Sequence, residues 1–147
     1  NTALNLAKWI TGTPVLYYPW GLESAAIRFK NSLQENSKLH VMAEDIIEVC
    51  HNGVVSWEKD SVMQPILIQG HDDYSKTKER WKILKEFFNS KQIEYKEISS
   101  VNGSIISKIM NLIYLFDYVS VYHSVISGID PSPVSAIDFI KERLSKD

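Results

Sequence analysis

Residues 65–90 read PILIQGHDDYSKTKERWKILKEFFNS, and this stretch decides the fold. Pro65 to Gly70 is a short, essentially apolar run closed by glycine, the pattern of a strand covered on both faces. Asp72 or Asp73 is placed to cap a helix over Tyr74 to Ser90. Within that helix Trp81, Leu84, Phe87 and Phe88 share an inward face while the lysines face out. A covered strand running straight into an amphipathic helix is half of a parallel β–α–β unit.

The same alternation recurs on either side. Asn1 and Thr2 can cap a short helix, Ala3 to Ile10, that ends at Gly12. Pro14 to Tyr18 is a second buried strand, broken by Pro19 and Gly21. In the next helix Leu22, Ala26, Phe29 and Leu33 form an apolar stripe, and Ser24, Arg28, Asn31 and Glu35 a polar one. Leu39 to Met42 reads as a short strand and Ala43 to Val49 as a helical turn or two. Val54 to Glu58 reads as another short helix, capped by Asn52. Toward the C-terminus, Ile93 to Ile98 alternates as an edge strand does. Ser104 to Ile126 is a long, mostly apolar helix, which predicts burial on more than one side. Gly128 stops it. Ser132 as N-cap and Pro133 as first residue open a last helix to about Ser145. The sum is an α/β fold, one domain over residues 1–147: a three-layer parallel sheet of about four to five strands with helices on both faces.

Composition narrows the function classes. The chain has 147 residues, 44% hydrophobic and 23% charged, with net charge −2. Such a charge gives no general drive toward nucleic acid or an anionic membrane. A single cysteine, Cys50, precludes an internal disulfide and fits a reducing cytoplasm. The most apolar run, Ile109 to Val121, is interrupted by Asn111 and Asp117 and is too short to cross a bilayer. Asn1 to Trp9 lacks the pattern of a signal peptide. The absent initiator methionine suggests a piece of a longer chain.

Two residues stand out chemically. Glu35 falls in the last turn of its helix, where unpaired carbonyls carry partial negative charge and make a carboxylate a stronger base. His51 follows sixteen residues later in the polar turn Cys50-His51-Asn52-Gly53. A carboxylate and an imidazole can supply the two protonic groups of an acid–base site. Each also has a plain structural reading, a solvated helix end for Glu35 and a backbone-bonded turn for His51. Cys50 reads as packing and His71-Asp72-Asp73 as a strand end and helix cap. His40, His51, His71 and His123 lack metal-ligand spacing, and no Gly-rich nucleotide loop or nucleophile elbow is present. Lys141, beside the apolar stripe of the last helix, can snorkel to solvent or point its ammonium into a ligand cleft.

Several segments together resemble the C-terminal half of the bifunctional phosphoglucose/phosphomannose isomerases, which are built from two sugar isomerase (SIS) domains. Pro14-Val15-Leu16-Tyr17 is similar to that family's strand. Arg28 and Lys30 with Glu35-Asn36-Ser37-Lys38 resemble its R-x-K…E-N-A-K segment. Glu48 to Gly53 with Ser56-Trp57-Glu58 resemble its P-E-x-N-H-N-E…G-W-E segment. Asp130-Pro131-Ser132-Pro133-Val134 with Ile137 and Lys141 resemble its closing segment.

The resemblance implies a flavodoxin-like SIS domain, the C-terminal half of a two-SIS chain. It implies a homodimer that isomerises hexose 6-phosphates without metal or other cofactor, in the cytoplasm. Glu35 would be the base and His51, from the neighbouring subunit, the ring opener. Lys141 would assist, and Arg28 and Asn52 would contact substrate. Gly53, Cys50 and Ser56 depart from the family's usual Glu, Asn and Gly. The family's Ser/Thr-rich phosphate loop lies in the other half. Here only Ser99 to Ser104 approximates it, so the phosphate site is expected from the missing N-terminal SIS domain. The alternative is a non-catalytic sugar-phosphate-binding or dimerisation module.

Overall fold

The computed structural model describes residues 1–144. Its elements are α1 (Thr2–Trp9), β1 (Thr13–Tyr18), α2 (Glu23–Ser37), β2 (Met42–Asp45) and α3 (Ile46–His51), followed by a 3-10 helix (Gly53–Glu58). Then come β3 (Met63–Gln69), α4 (Ser75–Ser90), β4 (Lys96–Ser99), α5 (Ile105–Ile126) and α6 (Ser135–Leu144). The four strands form one parallel sheet in the order β2-β1-β3-β4. This is the expected architecture, with the strand count at the lower bound.

Alternation along the central strands builds two cores. Leu16 and Tyr18 of β1 with Ile66 and Ile68 of β3 face α1, α2 and α5. Val15, Tyr17 and Leu67 face the other way, toward α3, the 3-10 helix and α4. On the first side the fully buried rings of Phe29 and Phe116 stack with centroids 4.2 Å apart. That contact locks α2 to α5 and sets where the end of α2 lies.

Local chemistry moves several boundaries. β2 covers Met42–Asp45 rather than Leu39 to Met42, and α3 starts at Ile46 rather than Ala43, where Asp45 acts as its N-cap, the carboxylate accepting the Ile47 N–H at 2.7 Å. Neither Asp72 nor Asp73 caps α4. Asp73 turns back to accept the Gly70 N–H at 2.9 Å and the Trp81 indole N–H at 3.0 Å, while Asp72 is ion-paired with Lys108 on α5. β4 starts three residues later than the alternation suggested. The last helix begins at Ser135, not Pro133. Ser132 does not open it; the Val134 carbonyl accepts the first helical N–H groups. Ser145, the expected end, lies outside the described residues. The 3-10 helix has no side-chain cap from Asn52.

Burial of α5 differs most from expectation. Leu112, Phe116, Val119, Ser120, His123 and Ser124 line its one buried face. Ile106, Met110, Tyr114 and Val125 on the other side are each more than half exposed. By length and composition alone this 22-residue helix could cross a membrane. Its inner face is nevertheless a protein-packing face against α1 and α2, carrying buried serines and an ion-paired aspartate.

His123 on that face gives the fold a pH dependence. Its Nε2–H donates to the Ile10 carbonyl at 3.2 Å, and burial holds the imidazole below its usual 6.5. Below that value the unfolded chain takes up a proton that the folded chain refuses, so stability rises with pH and is lost as pH falls. The urea midpoint should therefore fall between about pH 7.5 and 5.5, and His123→Gln should flatten that dependence. An unchanged slope in the variant would assign the effect to other groups.

Candidate functional site

α2 follows β1 and must run antiparallel to it, because β1 and β2 are parallel neighbours. Fifteen residues at 1.5 Å each carry it back about 22 Å. Glu35, in its last turn, therefore stands beside the amino edge of the sheet. It is thus at the opposite edge from the His71 loop, which follows the carboxyl end of β3.

The end of α2 is stitched to α5. Ser32 Oγ donates to Asp117 at 3.0 Å, Asn36 Nδ2 to Ser120 Oγ at 2.8 Å, and Ser37 Oγ to the Ser120 carbonyl at 3.0 Å. Arg28 clamps Asp117 through two parallel bonds, Nε at 3.1 Å and Nη2 at 3.0 Å. These bonds turn Asn36 and Ser37 inward and leave Glu35 exposed. Its carboxylate accepts no hydrogen bond among the described residues. Glu35 instead lines a cavity of about 170 Å³ between the end of α2 and the start of α6, with Gln34, Lys38, Pro133, Val134 and Ile137. Lys141 lies farther along α6, about 9 Å beyond Ser135 on the cavity wall.

His51 ends α3 on the opposite side of the sheet, in the layer that packs with α4. Glu35 and His51 thus lie in different helix layers, with the sheet between them. Beneath the His51 turn, the Trp57 indole N–H donates to the buried Tyr17 hydroxyl at 2.8 Å. Burial pushes that phenol up to about 12. Asn52 and Gly53 line a cavity of about 390 Å³ with Glu44, Ser56 and Tyr17. A Cβ on Gly53 would meet Glu44 Oε2 at 2.6 Å. Gly53 thereby makes room for the Glu44 carboxyl, which burial and then Glu48 raise above the usual range. Cys50 is exposed on α3 rather than packed, which corrects its sequence reading.

The remaining loops are internally engaged. Ser100 Oγ accepts the His71 N–H at 3.0 Å and donates to the Val101 carbonyl, and Ser104 caps α5 through the Ser107 N–H. Among the described residues no group of three or more His, Cys, Asp or Glu is placed to hold a metal. A cleft of about 810 Å³ at Trp9, Glu58, Lys59 and Glu94 contains none of the candidate residues.

Lys38 and Asp117 were not singled out in the sequence. A lone acid amid the apolar residues of α5 signals a partner on a neighbouring element, and exposed Arg28 of α2 is that partner.

The parallel sheet between two helix layers is that of a SIS-type, flavodoxin-like α/β domain. It shares its fold with a glucose-6-phosphate isomerase like protein from Thermus thermophilus (TM-score 0.70, 16% identity, 89% of this chain and 45% of that one). The C-terminal domain of glucosamine-fructose-6-phosphate aminotransferase from Francisella tularensis is similar in fold (TM-score 0.68, 15% identity, 90% of this chain and 41% of that one). Within this class the chain belongs to the bacterial phospho-glucose isomerase C-terminal SIS domain family, matched over residues 1–144. It is 30% identical to a bifunctional phosphoglucose/phosphomannose isomerase of Caldicellulosiruptor bescii, over 97% of this chain and 45% of the relative. It is 29% identical to one of Aquifex aeolicus, over 90% and 42%. The chain therefore spans less than half the length of these relatives.

Proposed function

We propose that the chain forms the C-terminal part of a hexose 6-phosphate isomerase that interconverts glucose or mannose 6-phosphate with fructose 6-phosphate. The opened aldose carries a proton on C2, beside the C1 carbonyl. Glu35 takes that proton, leaving an enediolate, and returns it to C1 while the O2 proton passes to O1, giving the ketose. His51 opens the ring by proton transfer at the ring oxygen. Lys141 steadies the oxygen end, and Arg28 and Asn52 contact the sugar. No metal takes part in this reading, since the proton transfers fall to positioned side chains.

One observation carries the reading of a shared site: Glu35 and His51 sit in opposite helix layers of one chain. A second copy can supply the His51 that the first copy's Glu35 lacks, so the catalytic unit is a dimer. The exposed outer face of α5, and an α6 with no buried residue, suit a domain that works in a larger assembly. The hydroxyls of Ser100 and Ser104 are bonded within the chain, which supports a phosphate site supplied by an N-terminal SIS half. Those relations fit a cytoplasmic enzyme of sugar-phosphate metabolism.

The test is a coupled assay of the full-length protein on fructose 6-phosphate. Formation of both aldose 6-phosphates is expected. Binding of fructose 6-phosphate with no product would establish the alternative, a non-catalytic sugar-phosphate-binding or dimerisation module.

A further inference from the structure

Helix α2 ends in a way that asks for explanation. Its C-cap is Lys38, held at φ 55° and ψ 27°, with its N–H bonded to the Leu33 carbonyl. This left-handed position is normally filled by glycine, because a side chain with a Cβ is strained there. A strained non-glycine residue persists where its side chain does something glycine cannot.

The Lys38 ammonium does so here. It donates to the Glu35 carbonyl at 2.6 Å and to the Pro133 carbonyl at 2.8 Å, with the Pro131 carbonyl at 3.5 Å. One acceptor belongs to the last turn of α2 and two to the lead-in of α6. The lead-in needs such a tether, because α6 buries none of its residues against this domain. Asp130, whose carboxylate accepts the Ser132 N–H at 2.9 Å, shapes the same lead-in. That bond, with the nearby Lys38 charge as a lesser contributor, holds its carboxyl below the usual range. Lys38 also sits in the wall of the Glu35 cavity, whose other wall is Pro133 to Ile137.

We propose that Lys38 is a positioning residue: by bridging the end of α2 to the α6 lead-in, it fixes Lys141 relative to Glu35. The inference rests on the isomerase reading for what those two residues do, but not for the tether itself. A shift of about 1 Å between groups acting on one substrate is enough to cost up to about 100-fold in rate, with little effect on binding made elsewhere.

Two disruptive variants of the full-length protein and one conservative variant test it. Lys38→Gly suits the left-handed backbone and removes the whole side chain, and Lys38→Met removes the charge while keeping most of the stem. For both, hydrogen exchange in residues 131–144 should quicken while the exchange of α2 and β1 stays as in the parent. The value of kcat on fructose 6-phosphate should fall about 10- to 100-fold with KM within about twofold. Lys38→Arg, which retains donors, should recover part of the rate. Unchanged exchange in 131–144 would overturn the tether. Faster exchange with unchanged kcat would overturn the positioning role and leave a structural cap. An inactive parent enzyme would remove the isomerase reading and the positioning role with it, and the exchange data would still judge the tether.

Discussion

Glu35→Gln in the full-length protein should lower isomerisation of fructose 6-phosphate by about 10²- to 10⁴-fold, the usual contribution of a positioned general base. The amide has the shape of the carboxylate but cannot take the C1 proton of the ketose. The substitution should leave folding intact, because Glu35 is exposed and its carboxylate accepts no hydrogen bond among the described residues. Surface changes of this kind move stability by about 0.5 kcal/mol or less. The bonds that hold this end of α2 come from Asn36, Ser37 and Lys38 instead. Rate and melting temperature should therefore separate cleanly. Retained turnover would remove Glu35 from the mechanism, and a parallel loss of melting temperature would mark it as structural.

His51→Ala should give a comparably large but selective loss. If the imidazole opens the ring, turnover of closed-ring substrate should fall by about 10²-fold or more, and open-chain substrate should be spared. The turn itself should survive, since its anchors are backbone and core groups. The Asn52 N–H bonds the Glu48 carbonyl at 2.9 Å, Ser56 Oγ bonds the Gly53 carbonyl at 2.7 Å, and Trp57 is buried on Tyr17. Equal losses on both substrate forms would argue against ring opening.

The parallel sheet and its two helix layers were legible in the sequence because the strands Pro14–Tyr18 and Pro65–Gly70 carry almost no polar residues. An apolar run can be covered on both faces only between helices. Leu22, Ala26, Phe29 and Leu33 likewise mark the face of α2 that is buried. Short elements were less legible. The choice of strand or helix over residues 39–49 turned on one capping contact from Asp45, which competes locally with several weak propensities.

Tertiary partners were hidden for a related reason. Asp73 looks like a helix cap from its place in the chain, yet Trp81, two turns into α4, attracts its carboxylate. The outer face of α5 looked like core because apolar residues surround the whole helix, and sequence does not distinguish a core from an uncovered face. In the candidate site, the residue types and spacing of Glu35 and His51 were visible. Their separation by the sheet was not, because it follows from the direction in which α2 and α3 leave their strands. Lys38 is visible only as the end of the Glu35-Asn36-Ser37-Lys38 segment, and its bridging role depends on carbonyls of Pro131 and Pro133, more than ninety positions away.

The shared site is tested most directly by mixing two inactive proteins. Full-length Glu35→Gln and His51→Ala subunits are dissociated together and allowed to reassociate. In a two-fold dimer with the imidazole supplied across the interface, each mixed pair contains one site with both groups intact. An equal mixture should therefore regain about a quarter of the parental turnover, from parents that have almost none. Mixed dimers that form yet show no activity above the separate variants would contradict the account, because Glu35 and His51 would then have to meet within one chain.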